Sequence, residues 1–200
     1  FGDKNKPYLG KHVRGLAVTL DNLSRELGIL FVVSTGNFEG TDNAPKDWRT
    51  EYPNYLFSDE ATLLDPATAI NALTVGSIAR FDQTFTSQRY PNSIDEIPIA
   101  HHNQPSPFTR CGPSVNGVIK PELVAYGGNW ALHARANNSQ PFPGGLGELS
   151  TSMNFSQGHL FEQDCGTSYA APNVTHIAAK VLTKIPDANL NLIRSLLVAH

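Results

Sequence analysis

Cys165-Gly166-Thr167-Ser168-Tyr169-Ala170-Ala171-Pro172-Asn173-Val174 reads as a tight turn that feeds a serine into the start of a helix. Gly166 permits the sharp turn, and Ala170 and Ala171 leave the approach to the Ser168 hydroxyl open. Val174, Ile177, Ala178, Val181 and Leu182 follow at helical spacing, with Pro172 expected in the first turn, where a missing N–H is tolerated. Ser168 is therefore expected at a helix N-terminus, among oriented N–H groups that favour developing negative charge. The same residues also suit a plain capped helix, because Thr and Ser are ordinary N-cap residues.

Upstream, Val13, Leu16, Ala17, Leu20, Leu23 and Leu27 recur at helical intervals, and Gly28 stands where a C′ glycine ends a helix. Ile29 to Val33 is a continuous apolar run with β-branched residues, the pattern of a parallel strand covered on both faces. Further strands are expected over Leu73 to Ile78 and over Ile119 to Val124. Gly40 to Pro66 is polar and proline-bearing, and Phe81 to Phe108 reads as a long surface insertion. Asn137 to Gly147, rich in Pro and Gly, reads as a mobile loop. Leu190, Leu192, Ile193, Leu196 and Leu197 form a last amphipathic helix. Helices alternating with buried strands imply an α/β fold: an open, mostly parallel sheet with helices on both faces and its site at the carboxyl ends of the strands. Asn37 and Ser168 can meet there, although Gly36-Asn37 alone also suits a turn.

Four segments in order resemble the subtilases, the subtilisin-like serine peptidases. Gly166-Thr167-Ser168 with Pro172 is similar to their nucleophile motif. Gly28 through Asn37 resembles their buried strand ending in Gly-Asn. Ala72-Leu73-Thr74-Val75-Gly76-Ser77-Ile78 resembles the strand that runs into Val-Gly. Phe108-Thr109-Arg110-Cys111-Gly112-Pro113 and Gly117 through Gly127 are similar to Phe-Ser-x-x-Gly-Pro and to Lys-Pro-(Asp/Glu)-(Ile/Val)-x-Ala-Pro-Gly.

The resemblance implies a serine endopeptidase acting on polypeptides, with no cofactor and no metal. Ser168 would be the nucleophile, and the Asn37 amide with the Ser168 N–H would form the oxyanion hole. Gly2, Ser34, Thr35 and Gly36 would bind substrate, Gly2 from a strand to which an extended peptide adds. The family's aspartate and His-Gly-Thr motifs precede the strand ending in Asn37, and neither occurs in this sequence. Phe1-Gly2 resembles the end of the family's Ser-Leu-Gly strand. Residues 1–200 are thus expected to be the C-terminal part of one catalytic domain, incomplete on the N-terminal side, with the front half as a partner. An inactive, subtilase-like scaffold is the alternative. Asn173, Tyr169 and Tyr126 stand where the family has His, Met and Pro, and Tyr169 is expected to narrow the leaving-group side.

His176, the histidine nearest Ser168 in sequence, does not supply the base. His176 lies about two turns, roughly 12 Å, beyond Ser168 along the same helix, whereas a base must sit within about 3 Å of its proton. His159 and His101-His102 fall in loops, and the pair lacks a third ligand at metal-binding spacing. An α/β-hydrolase reading would need its acid and histidine after the serine, where only Asp187 and His200 stand.

A composition of 40% hydrophobic and 16% charged residues is globular. A net charge of −3 without Lys/Arg clusters argues against nucleic acid or anionic membrane as partners. No apolar run reaches the ~20 residues of a membrane span. Gly144-Gly145-Leu146-Gly147 lacks the lysine of a phosphate-binding loop. Cys111 and Cys165 read as buried thiols of a reducing, cytoplasmic setting, with a disulfide in a secreted setting as the alternative.

Overall fold

The computed structural model describes residues 7–41, 45–135 and 140–199. Gly2 lies outside the described residues, as do Asn137 to Ser139 of the expected mobile loop. The first helix, α1 (Gly15–Leu27), gets no side-chain cap from Arg14. Asp65 caps it instead, its carboxylate accepting the Leu16 and Ala17 N–H groups at 2.9 Å each, which satisfies two donors the helix leaves open. Gly28 ends it in the left-handed conformation (φ 64°), its N–H donating to Ser24 O, as the sequence predicts. The chain continues through β1 (Val32–Ser34), β2 (Leu73–Ile78), α2 (Phe85–Arg89), β3 (Glu96–Pro98), β4 (Leu123–Tyr126), β5 (Ala131–His133), β6 (Glu148–Thr151), β7 (Phe161–Asp164), α3 (Thr167–Lys184) and α4 (Leu190–Val198).

The central sheet is parallel, in the order β1-β2-β4. Successive strand residues face opposite sides, and helices cover both. Val32, Val75, Leu123 and Ala125 pack against Ala170, Ala171 and Val174 of α3. Phe31 and Val33 turn the other way, to Ala17 and Leu20 of α1. β2 is buried from Leu73 to Ser77, with the polar Thr74 and Ser77 included. β1 is shorter than Ile29 to Val33 and only half-buried. Among the described residues its sole strand partner is β2.

Three expectations need correction. The third strand covers Leu123–Tyr126, not Ile119 to Val124. Pro121 has no N–H for a ladder, and Lys120 instead turns its ammonium into the protein, donating to Ala72 O at 2.8 Å and to Glu122 Oε1 at 2.6 Å. Glu122 Oε2 accepts the Thr74 N–H at 2.8 Å, so these residues clamp the entrance of β2. Burial lowers the Lys120 pKa, and Glu122 opposes that shift.

Phe81 to Phe108 is not a surface insertion throughout. It contains α2 and β3, β3 pairs antiparallel with β5, and Ile99, Ala100, Ser106 and Phe108 are buried. The polar stretch before it also hides core residues: Trp48, Tyr55, Leu56 and Ala61 cluster with Phe38 and Ile99. Pro172, third, is the sixth residue of α3 rather than a first-turn proline. Lacking an N–H, it leaves the Ser168 carbonyl, four residues back, without its helical donor.

Candidate active site

Two backbone turns meet at the carboxyl ends of the parallel strands. After β1, the Thr35 N–H donates to Val75 O at 3.0 Å, and Gly36 takes φ 91°. A Cβ on Gly36 would come within 2.7 Å of Leu64 Cδ1, so both conformation and space call for glycine. Asn37 emerges directly after it.

From the other side, β7 leads through Cys165 and Gly166 into α3. The Gly166 N–H donates to Gly127 O at 2.8 Å, which lays the turn across the end of β4. A Cβ on Gly127 would lie 2.6 Å from Gly166 O, and one on Gly128 2.8 Å from Cys165 Sγ. The glycine pair after β4 thus admits the backbone that carries Ser168. Gly127→Ala is expected to cost about 1–3 kcal/mol of stability by overpacking, read as a lower urea midpoint. An unchanged midpoint would show that the turn does not depend on this contact.

Asn37 joins the two turns. Its Oδ1 accepts the Thr167 N–H at 2.9 Å and the Thr167 hydroxyl at 3.0 Å. Two donors on one atom assign that atom as oxygen, and the Nδ2 group is left facing Gly166, 3.1 Å from where a Cβ would stand. Among the described residues Nδ2 donates to no protein group.

Ser168 is the second residue of α3 and exposed. It opens onto a groove of about 410 Å³ between Leu16 and Leu20 of α1, Val32 and Ser34 of β1, and Ser168 and Pro172 of α3. Of the expected substrate-binding residues, Ser34 lies in this groove and Gly36 is half-buried beside Asn37. Thr35, the first residue past β1, is 0% exposed.

Among the described residues no imidazole hydrogen-bonds to Ser168. His176 is exposed further along α3, His159 is exposed in the β6–β7 connection, and His101 and His102 are exposed. His102 Nδ1 lies 2.7 Å from Arg80 O. No group of three or more His, Cys, Asp or Glu among the described residues is placed to hold a metal ion.

The three departures from the family pattern form one connected set, which their separate places in the sequence conceal. Asn173 Nδ2 donates to Tyr126 O and Tyr169 O at 3.2 Å each, binding α3 to the end of β4. The Tyr169 hydroxyl donates to Asp164 Oδ2 at 3.1 Å. Burial and then the Asp164 charge raise its pKa.

Both cysteines are free thiols. Cys165 Sγ donates to Asn129 O at 3.1 Å, and burial pushes its pKa up to about 12. It stays protonated near neutral pH and is a poor nucleophile despite its place before Ser168. Cys111 donates to Leu56 O at 3.0 Å, its pKa also raised by burial.

Residues 3–200 match the profile of the subtilase family, peptidase S8. The chain is also 38% identical over 202 residues to the uncharacterized protein y4bN of Sinorhizobium fredii (strain NBRC 101917 / NGR234), an overlap that covers 99% of this chain and 46% of that protein. It therefore spans about half the length of that relative. With its parallel sheet delivering Asn37 to the residue before Ser168, and a match across nearly its whole length, this chain belongs to the subtilase family.

Proposed function

We propose that residues 1–200 form the nucleophile-bearing part of one serine endopeptidase domain, whose histidine and aspartate come from a segment outside this chain. The observation that carries this reading is the clasp of Asn37 Oδ1 on Thr167, which leaves an unused amide N–H pair beside an exposed serine at a helix N-terminus.

The chemistry follows from those positions. Ser168 Oγ attacks the carbonyl carbon of a peptide bond while the histidine takes the hydroxyl proton. The carbonyl oxygen becomes an oxyanion, held by Asn37 Nδ2 and the Ser168 N–H, with the positive end of α3 favouring the same charge. As the tetrahedral intermediate collapses, the histidine returns the proton to the leaving amine. Water then repeats the sequence on the acyl-Ser168 ester. Ser34 and Gly36, with Gly2, bind the acyl side of the substrate, and Tyr169 borders the leaving-group side.

The edge of β1 away from β2, which pairs with no strand among the described residues, and the apolar groove beside it support docking of the missing segment. An edge strand with free N–H and C=O groups is a template for another strand. Residues 1–200 and the full-length polypeptide are each treated with a fluorophosphonate, and the adduct is located by mass spectrometry. Strong labelling of Ser168 in the full-length protein, with little in residues 1–200 alone, is expected. Labelling elsewhere, or equal labelling of the two, would reject the shared-site reading. No labelling of either would favour the inactive scaffold.

A further inference from the structure

Arg110 is 6% exposed, and the mechanism above does not use it. It lies on the segment beside Asn37: Asn37 and Thr109 form an antiparallel bridge, and the Phe38 N–H donates to Phe108 O at 2.8 Å. Arg110 Nε donates to the main-chain carbonyl of Asn37 at 2.9 Å, and Nη1 donates to the carbonyls of Glu60 and Thr62 at 2.7 and 2.8 Å. Its Cζ stands 5.5 Å from the Phe38 ring centre, and a Cβ on Gly36 would approach its Cδ to 3.3 Å. The Asn37 carbonyl and the Phe38 ring therefore meet the Arg110 guanidinium, with Gly36 beside its methylene stem.

A buried charge is tolerated only when its donors are satisfied, and a planar fork satisfies them in fixed directions. With Nη1 tied to the Glu60 and Thr62 carbonyls, Nε can meet the Asn37 carbonyl in only one orientation of that peptide. The Asn37 side chain is then defined from both ends, by Arg110 on its main chain and by Thr167 on its amide oxygen. Glu39 favours the charged form against the lowering effect of burial, and a guanidinium remains charged in proteins.

We infer that Arg110 is a positioning residue for the oxyanion site, holding the Asn37 main chain so that its amide N–H groups face the Ser168 side. The inference rests on the peptidase reading above. Lysine keeps the charge but lacks the fork, so Arg110→Lys restores the function only in part.

The test is a double-mutant cycle in the full-length protein, with Arg110→Gln and Arg110→Lys each made alone and with Asn37→Ala. Peptide kcat and KM are measured alongside the urea midpoint. Arg110→Gln is expected to lower kcat at least about tenfold, towards the 10²-fold that a misplacement of ~1 Å can cost, with KM changed by less than about twofold. In the Asn37→Ala background the same change should move kcat by less than about threefold, since no donor is left to misplace. Equal losses of kcat in both backgrounds would overturn the inference and leave the peptidase reading intact. An Asn37→Ala protein as active as the parent would overturn the inference and the oxyanion role of Asn37, whereas a parent that hydrolyses no peptide would overturn the peptidase reading. If Arg110→Gln does not fold, the Arg110→Lys cycle decides: coupling to Asn37 supports the inference and additivity rejects it.

Discussion

Ser168→Ala in the full-length protein is expected to abolish peptide hydrolysis, by about 10⁶-fold in kcat, a magnitude taken over from the triad serine of subtilisin itself. Ser168 makes no side-chain hydrogen bond among the described residues, and it is exposed at the start of α3. Removing its hydroxyl leaves no buried partner unsatisfied, so stability should change by less than about 0.5 kcal/mol, the usual range for surface positions. The expected result is thus a fully folded, inactive protein with an unchanged urea midpoint that still binds peptide. Activity within tenfold of the parent would place the nucleophile elsewhere. Lost activity together with a large fall in midpoint would mean that Ser168 is a capping residue whose loss unfolds the helix start.

The second large effect concerns Asn37, and two substitutions separate its two roles. Asn37→Ala removes the amide donor and also the acceptor of the Thr167 N–H and hydroxyl. It should lower kcat by about 10²–10³-fold, a figure that again comes from subtilisin's own oxyanion asparagine, with KM nearly unchanged because the oxyanion exists only in the transition state. Leaving the two Thr167 donors unsatisfied should also reduce stability by about 1–3 kcal/mol. Asn37→Asp keeps an acceptor for Thr167 but puts negative charge where the oxyanion forms. It should therefore lose at least as much kcat while keeping more of the stability. Measured kcat, KM and urea midpoints for both variants check this. Equal activity in the parent and both variants would reduce Asn37 to a turn residue.

How much of this could be read from the sequence varied with how locally each feature is determined. Leu73 to Ile78 was legible from its apolar Leu73, Val75 and Ile78 and from the likeness to the family's strand that runs into Val-Gly, although the polar Thr74 and Ser77 are buried with them. Gly28 was legible because a left-handed cap is a property of one residue. Lys120-Pro121-Glu122 misled because a buried ammonium bonded to Ala72 O looks, in sequence, like a surface charge in front of an apolar run. Trp48 and Tyr55 were passed over because they lie in a polar stretch, and Trp130 because it meets Trp48 only across the fold, with ring centres 5.5 Å apart.

The sequence by itself determined the family, the α/β character, and the placing of Asn37 after a strand and Ser168 in the first turn of a helix. Each of these rests on short-range chemistry: apolar runs, glycines where backbones turn or touch, and motifs a few residues long. Tertiary structure alone decided that Thr35 is sealed in the interior, that Gly127 and Gly128 make room for the nucleophile turn, and which way the Asn37 amide faces. Those features depend on atoms far apart in the chain, such as Thr167 on Asn37 Oδ1 and Arg110 on the Asn37 carbonyl. A hydrogen bond of about 3 Å has no counterpart in sequence spacing, because it exists only once the strands have brought both ends together.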